Sequence, residues 1–181
     1  MEEEKNLVRK GILDLRPYIP GKPIEEVKRE LGLKEVIKLA SNETLVGPSP
    51  LAIEAIKHEI ENIYLYPEGS SRLFREKIAH RLNIDKEMII VANGEDDIID
   101  LIGMAFINEG EEIITGAITF PAYETTAKIM GGKIIPVKLK DYTYDLGEIA
   151  RRINEKTKIV FLCKHNNLNR ENTKRKVYSS F

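Results

Sequence analysis

An alternation of short apolar runs with amphipathic segments, from residue 88 onwards, constrains the fold of this chain most strongly. The elements recur roughly every 20–25 residues, which is typical of parallel strands joined by helical crossovers. Strands are predicted over 88–92, from 113 onwards, over 134–137 and over 159–163. The helices predicted between them cover 96–107, 122–130 and 146–153. The sequence therefore predicts an α/β layered domain, and the lack of an internal sequence repeat argues against a solenoid.

The N-terminal part combines an irregular arm with three predicted helices. Residues 15–21 hold two prolines and a glycine, so they can form neither a helix nor a central strand and are expected to be an extended arm. The predicted helices cover 24–31, 50–62 and 71–82. The second has an apolar stripe opposite its charges, and in the third Leu73, Ile78, Ala79 and Leu82 are predicted to point inward. Gly32 is predicted to end the first of these helices, and Ser49 to be the N-cap of the second.

Composition and charge exclude several classes of protein. The chain has 181 residues and a mass of 20.6 kDa, which suffices for one domain with a sizeable core. Lysine and arginine number 28 against 29 acidic residues, so the overall charge gives no reason to expect a nucleic-acid partner. No apolar run approaches the ~20 residues of a membrane span, and the acidic start does not resemble a secretory signal. A single cysteine, Cys163, excludes an internal disulfide framework and a cysteine zinc site. We therefore expect a soluble, cytoplasmic protein without a metal.

The pattern ends after Cys163. Residues 164–181 carry five basic side chains and one acidic side chain, with no helical or strand period. We interpret this segment as a solvated, frayed tail. A nucleic-acid-binding arm is the alternative interpretation, but it lacks a basic folded face behind it.

The turn after the first predicted strand carries the main chemical signal, because Asn93 and Gly94 stand directly before a predicted helix. Gly94 allows the backbone to turn sharply, and the first amides of the following helix have no intrahelical acceptors. Such free N–H groups, together with the helix dipole, suit a phosphate or another anion. The alternative is purely structural, with Asp96 capping the helix and Asn-Gly serving the turn geometry alone. A full dinucleotide fingerprint is absent from this sequence.

This turn is one of six motifs that follow one another in a fixed order. They are Arg-Pro-Tyr-Ile-Pro-Gly at 16–21, Ser-Asn-Glu at 41–43, Gly-Pro-Ser-Pro at 47–50, Leu-Tyr-Pro-Glu-Gly-Ser-Ser at 65–71, Asn-Gly-Glu-Asp at 93–96 and Thr-Phe-Pro-Ala-Tyr at 119–123. From about residue 8 to residue 163 the chain resembles the N-terminal half of the histidinol-phosphate aminotransferases, which are fold-type I, pyridoxal-phosphate-dependent enzymes of the class I/II aminotransferase group. The resemblance implies a partial large domain of that fold, a three-layer α/β/α arrangement with an N-terminal arm and helices.

The resemblance also implies which residues bind the cofactor, pyridoxal 5'-phosphate. The backbone amides of Glu95 and Asp96 are expected to hold its phosphate, and the ring of Phe120 to stack on its pyridine ring. Asn167 is expected to contact the ring oxygen of the cofactor. Tyr66 is expected to donate its hydroxyl to the cofactor phosphate of the neighbouring subunit in a homodimer.

Two further residues, Tyr18 and Asn42, are expected near the pocket for a small substrate, an amino acid or a phosphorylated imidazole compound. Taken singly, each of these site residues also has a structural interpretation. Phe120 can be a core residue, Tyr66 can hold its loop in place, and Tyr18 can fix the arm. The ordered set of motifs favours the cofactor site.

Two departures from the family pattern bear on this expectation. Glu95 stands where the family usually has Ser, Ala or Thr, and its carboxylate adds negative charge beside the expected phosphate. The second departure follows Cys163, where 164–170 reads Lys-His-Asn-Asn-Leu-Asn-Arg in place of Asn-Pro-Asn-Asn-Pro-Thr-Gly. A disrupted or frame-shifted reading of a longer gene is the simplest interpretation, and a short paralogue is the alternative.

Transamination needs a lysine that bonds to the cofactor and moves a proton, an acid at the pyridine nitrogen, and an arginine for the substrate carboxylate. In the family all three lie beyond position 170, and Lys164, Lys174 and Lys176 do not match the context of the family's lysine. The resemblance implies that the parent transfers an amino group between glutamate and imidazole acetol phosphate in histidine biosynthesis, and that this chain alone is inactive. The alternative is a non-catalytic phosphate-binding or subunit-interaction module.

The expected division of the chain is an arm with a short helix over 1–48, a partial cofactor-binding domain over 49–163, and a basic tail over 164–181. In fold-type I enzymes the strand before the phosphate turn does not neighbour the three strands that follow it. We therefore expect 88–92 to lack pairing partners, and the strands near 113, 134 and 159 to pair with one another. Unpaired strand edges favour association.

Overall fold

The computed structural model describes residues 7–17, 19–44 and 46–167. The helices are α1 (Lys10–Leu13), α2 (Ile24–Leu31), α3 (Pro50–Glu59), α4 (Arg72–Leu82), α5 (Glu95–Phe106), α6 (Ala122–Ile129) and α7 (Leu146–Arg152). The strands are β1 (Glu112–Gly116), β2 (Lys133–Val137) and β3 (Thr157–Phe161). Short 3₁₀ helices cover Ile60–Asn62, directly after α3, and Lys86–Met88. The predictions of α2 to α7 and of these three strands are confirmed, while α1 was not predicted.

Helix ends follow the signals in the sequence. Gly32 ends α2 in the left-handed conformation, with φ 65°, which a glycine adopts without steric cost. Ser49 is the N-cap of α3, as predicted, with Pro50 at the first helical position, but its side chain makes no capping hydrogen bond. Asp145 does cap α7, because its carboxylate accepts a hydrogen bond of 2.9 Å from the Glu148 amide.

The prediction of a buried strand over 88–92 is wrong. Met88 closes a 3₁₀ helix, and the following residues up to Ala92 lie outside any strand. Ile89 has extended backbone angles, yet no described strand pairs with this segment, and the Ile90 side chain is 73% exposed. An extended apolar run without neighbours cannot satisfy its backbone hydrogen-bonding groups in a ladder, so it remains irregular.

The three strands form a parallel sheet with the order β2-β1-β3. Strand β1 is central, and its Ile113 lies opposite Ile134 of β2 and Ile159 of β3. Helix α6 joins β1 to β2, and α7 joins β2 to β3, as parallel neighbours require. The parallel pairing that the strand and helix spacing predicts is confirmed.

Helices cover both faces of this sheet. On one face Ile113 packs in a buried cluster with Ile107, at the end of α5, and Ala127 of α6. On the other face Ile114 packs with residues of β2, α7 and the segment before α7. These residues are Val137, Tyr144, Leu146 and Ile149. Because successive residues of a strand point to opposite faces, the pair Ile113 and Ile114 fixes a three-layer α/β/α arrangement.

Helices α5 and α6 pack closely through a glycine. A β-carbon at Gly103 would overlap the side chain of Thr126, so only glycine permits this approach. The Thr126 hydroxyl, which is almost completely buried, donates a hydrogen bond to the Asp100 carboxylate of α5. The middle of α5 is thereby held against the middle of α6.

The chain divides into two compact units. One unit comprises the residues up to Leu15 and those from Ile78 onwards, and the other comprises Arg16–Lys77. These limits differ from the expected division at 48 and 163, which stays a prediction. The boundary at residue 77 falls within α4, where the predicted inward side chains Leu73 and Leu82 are 62% and 59% exposed, so that prediction is wrong for both.

No helix among the described residues is long and apolar enough to cross a membrane.

We predict that backbone amides of residues 89–92 exchange with solvent far faster than those of Ile113 and Ile114 in the central strand. The reason is that only the β1 amides lie in a ladder between two strands. Hydrogen exchange followed by mass spectrometry measures this difference in the purified 181-residue chain.

We also expect association of the chain through exposed apolar residues such as Ile90, measured by sedimentation. A monodisperse monomer with strong protection at Ile90 contradicts both expectations.

Candidate functional site

The N-terminus of α5 presents a turn with free backbone donors. Gly94 is the N-cap, with φ 90°, a conformation that strongly favours glycine. The first hydrogen bond within α5 runs from the Ile98 amide to the Gly94 carbonyl at 3.4 Å. The amides of Glu95, Asp96 and Asp97 precede that bond, so the helix itself offers them no acceptor.

The same turn is shaped by an acidic side chain. The Asp97 carboxylate accepts a hydrogen bond of 2.9 Å from the Asn93 amide, which lies just outside the helix. The Gly94 amide bonds to the Ala92 carbonyl at 3.0 Å. These two bonds fix the path of the chain into α5, with Gly94 rather than Asp96 at the cap position. A side chain added at Gly94 would find no atom within 4 Å, so the backbone here is open to a ligand.

Aromatic rings stand beside one another where the sheet ends. Phe120 lies in the loop between β1 and α6, half-buried, and its ring is 5.9 Å from that of Tyr123 at an angle of 85°. Tyr123 in turn is stacked on Phe161, the last residue of β3, with ring centroids 4.4 Å apart and planes 7° from parallel. The three rings form what we call the aromatic ladder, Phe120–Tyr123–Phe161, and it connects the loop after β1 to the end of β3.

Hydroxyl groups join the same two segments. The Tyr144 hydroxyl lies 3.0 Å from the Thr119 hydroxyl and accepts a hydrogen bond of 3.1 Å from the Cys163 amide. Burial raises the pKa of the Tyr123 hydroxyl well above its ordinary value, and the neighbouring Cys163 and the negative charge of Glu95 raise it further. Tyr123 therefore stays neutral at working pH.

Two consecutive asparagines follow β3 and Cys163. The Asn166 side chain is 1% exposed, and its amide group donates a hydrogen bond of 3.0 Å to the Ile118 carbonyl. Asn167 is partly exposed beside it. Asn166 thus holds the loop that carries Phe120, while Asn167 is the more accessible of the two.

The structure places the predicted site residues in two groups. Glu95, Asp96, Phe120 and Asn167 belong to one compact unit, around the carboxyl ends of β1 and β3 and the start of α5. Glu95 and Asp96 are both exposed at the first two positions of α5.

The residues predicted to contact the substrate or a partner subunit form the second group. Tyr66 and Asn42 lie in the Arg16–Lys77 unit, where Tyr66 is fully exposed and Asn42 is exposed with a positive φ of 52°. Tyr18 lies outside the described residues. The assignments of these three residues stay predictions.

Sequence reasoning missed the residues that hold the site together. Tyr123 lies inside a quoted motif, and its spacing of three residues from Phe120 was the available signal. Tyr144 and Asn166 gave no local signal, because their partners lie 19 and 48 residues away in the chain. Among the described residues, no group of three or more His, Cys, Asp or Glu side chains is arranged to hold a metal ion.

Comparison with known proteins gives a family for this arrangement. The family model described as "Aminotransferase class I and II" matches residues 34–168. A histidinol-phosphate aminotransferase of Moorella thermoacetica is 45% identical over 159 residues, which make up 88% of this chain and 41% of the relative. That of Caldicellulosiruptor saccharolyticus is 47% identical over 161 residues, 89% of this chain and 45% of the relative. The chain thus spans less than half the length of these curated relatives.

Solved structures share the fold. A histidinol-phosphate aminotransferase from Sinorhizobium meliloti, in complex with pyridoxal-5'-phosphate, superposes with a TM-score of 0.74 at 22% identity, covering 87% of this chain and 42% of that one. An alanine aminotransferase from Pyrococcus furiosus also gives 0.74, at 23% identity, with 86% and 44% covered. The prediction of a partial large domain of the fold-type I aminotransferases is confirmed.

We predict that Asn166→Ala destabilises the unit by about 1 kcal/mol, because it removes the hydrogen bond that the buried Asn166 side chain donates to the Ile118 carbonyl. Asn167→Ala is the matched control, and we expect a smaller loss from this more accessible neighbour. Hydrogen exchange of the amides around Ile118 measures both losses. Equal effects of the two substitutions would show that Asn166 does not hold the loop.

Proposed function

Because the chain belongs to the class I and II aminotransferase family, we propose that it forms the N-terminal part of a pyridoxal-phosphate-dependent aminotransferase of histidine biosynthesis. The proposed reaction transfers an amino group between glutamate and imidazole acetol phosphate. The observation that carries this proposal is the likeness to histidinol-phosphate aminotransferases over 88% of the chain, together with the anion-suited turn before α5. We also propose a homodimer and a cytoplasmic location, as the sequence predicts.

The turn before α5 fits the cofactor phosphate in its geometry. The amides of residues 95–97 stand at the positive end of a 12-residue helix, and Gly94 leaves the approach open. Phosphate oxygens accept hydrogen bonds from such groups. The charge of this turn is less favourable for a phosphate, because the acidic residues Glu95, Asp96 and Asp97 all lie in the first turn of α5.

The aromatic ladder supplies the second contact that the proposal needs. Phe120 is half-buried and held by Tyr123, so it can present a flat apolar surface to the pyridine ring. Asn167, beside the buried Asn166, is the proposed hydrogen-bond partner of the ring oxygen. Tyr66 is the proposed phosphate ligand for a second subunit, and its full exposure leaves the hydroxyl available.

These residues bind and orient the cofactor but do not carry out the proton transfer. When bound, pyridoxal phosphate supplies an electron sink that stabilises negative charge at the amino-acid α-carbon. The described residues supply an anion cradle, a ring platform and a hydrogen-bond donor. By the family resemblance, the lysine that moves the proton is not among the residues that match here.

A non-catalytic phosphate-binding module remains the second candidate, because the turn before α5 suits any phosphate. The two candidates differ in whether the ring matters. Under the aminotransferase proposal, Phe120→Leu weakens binding of pyridoxal phosphate and leaves binding of inorganic phosphate unchanged. Equal affinity for both ligands, insensitive to Phe120→Leu, favours the module.

We predict that the 181-residue polypeptide shows no transaminase turnover with glutamate and imidazole acetol phosphate. A cradle and a platform only position the cofactor, whereas turnover needs the proton-transferring lysine. A coupled assay for 2-oxoglutarate measures this, with the complete Bacillus subtilis relative, 42% identical, as the positive control. Turnover that disappears when Lys164, Lys174 or Lys176 is replaced would refute the prediction.

We further predict that Glu95→Ser tightens binding of pyridoxal phosphate about fivefold. The substitution removes a like charge worth on the order of 1 kcal/mol in a partly wet site, and it adds a hydroxyl donor. Fluorescence titration measures the affinity, and Glu95→Gln separates the charge effect from the hydroxyl. Glu155→Ser is the control, because it removes an exposed carboxylate on the same unit, far along the chain from the turn. Unchanged or weaker binding by Glu95→Ser would mean that the Glu95 side chain points away from the phosphate or that this turn is not the site.

A further inference from the structure

Tyr123 occupies the middle of the aromatic ladder. Its side chain is only 5% exposed, and its two ring neighbours come from different parts of the chain. Phe161 belongs to a strand that is hydrogen-bonded along its length to β1, whereas Phe120 belongs to a loop. Tyr123 therefore links Phe161, which the sheet holds in place, to Phe120, whose loop backbone is held less firmly.

The geometry of the two ring pairs restricts Phe120 in orientation as well as in position. The parallel stack with Phe161 sets the plane of Tyr123, with planes 7° apart. The edge-to-face contact then sets the plane of Phe120 nearly perpendicular to it, at 85°. Such arrangements are favoured by the aromatic quadrupoles beyond simple burial of apolar area.

The Tyr123 hydroxyl stays protonated, because burial raises its pKa well above the ordinary value and the neighbouring Cys163 raises it further. Cys163 follows β3 by two residues, and its amide donates a hydrogen bond of 3.1 Å to the Tyr144 hydroxyl. The ring of Tyr123 is attached to the end of β3 by its stack on Phe161.

From this arrangement we infer that Tyr123 is a positioning residue that sets the orientation of the Phe120 ring and thereby the platform on which a planar cofactor ring stacks. The inference rests on the proposed function for the identity of that ring, but the orientation of Phe120 is a property of the protein alone. Tyr123 acts through Phe120 and is not itself proposed to contact the cofactor. A leucine at position 123 would keep an apolar side chain in the core but remove both ring contacts.

The first arm of the test needs no ligand. In the 181-residue chain, 4-fluorophenylalanine is introduced at position 120 alone, so that a single fluorine resonance reports on this ring and Tyr123→Phe adds no second label. In Tyr123→Leu we expect that resonance to move towards the position of free fluorophenylalanine, whereas Tyr123→Phe retains it because the ring remains. Tyr142→Leu, which changes an exposed tyrosine of the same unit, is the matched control and leaves it unchanged.

The second arm measures affinity for pyridoxal phosphate by fluorescence titration. We expect Tyr123→Leu to weaken binding about threefold to tenfold, which corresponds to the loss of one aromatic pair. Tyr123→Phe should restore affinity to within about twofold of the original, because the ring pair persists. In a Phe120→Leu background, Tyr123→Leu should have no additional effect, since Tyr123 acts only through Phe120.

Each outcome decides the inference. An unmoved Phe120 resonance in Tyr123→Leu overturns it, as does an equal loss of affinity with and without Phe120. If Tyr123→Leu fails to fold, Phe161→Leu removes the other end of the ladder and must move the same resonance. If the original chain binds no pyridoxal phosphate, the proposed function fails on that count, while the fluorine spectra still confirm or refute the positioning of Phe120.

Discussion

The burial of strand β1 on both faces is the constraint on which the rest of the structure depends. Ile113 and Ile114 are both 0% exposed, and they point to opposite faces of the sheet. One face therefore requires α5 and α6, the other requires α7, and each edge requires a neighbouring strand. When these demands are met, the parallel strands β1 and β3 end side by side. The loops that follow them then meet at one edge, where the aromatic ladder lies.

The same constraint explains why apolar composition alone does not make a strand. Residues 89–92 are as apolar as β1, yet Ile90 is largely exposed and the segment joins no ladder among the described residues. A central strand is stabilised by hydrogen bonds to two neighbouring strands as well as by burial of its side chains. A segment without a neighbouring strand has neither contribution. The chain is nevertheless held directly after this segment, because the Asp97 carboxylate accepts a hydrogen bond from the Asn93 amide.

The local elements of the fold and the parallel pairing of the three strands could be predicted from the sequence, but the order of the strands could not. Hydrophobic period, glycine and proline positions located α2 to α7 and the three strands, because these signals act within a few residues. The order β2-β1-β3 is set by pairing between distant segments and left no trace in local pattern. Periodicity also identified the apolar side of α4, but it does not supply a surface for that side, and Leu73 remains exposed.

The candidate site likewise contains one part that the local sequence predicts and another part that it does not. The turn at Gly94 was predictable, since a glycine before a helix start specifies both a left-handed backbone and free amides. The residues that hold Phe120 were not, because Tyr123 stacks on Phe161 and Asn166 bonds to the Ile118 carbonyl across long stretches of chain. A motif can therefore identify the groups that touch a ligand, while the groups that aim them become visible only in the folded structure.

The acidic first turn of α5 shows how folding and binding make different demands on one helix end. A carboxylate near a helix N-terminus typically stabilises the helix by about 0.3–1 kcal/mol, so Glu95, Asp96 and Asp97 favour α5 in the absence of any ligand. A bound anion uses the same positive end and is repelled by the same charges. The three acids are not equivalent in this respect. The Asp97 carboxylate accepts a hydrogen bond from the Asn93 backbone amide and so shapes the turn. The charge of Glu95 instead contributes to the raised pKa of the buried Tyr123 hydroxyl. Loss of the Glu95 charge would therefore leave the shape of the cradle intact while lowering the repulsion, which makes position 95 the point at which anion affinity can change without a change of fold.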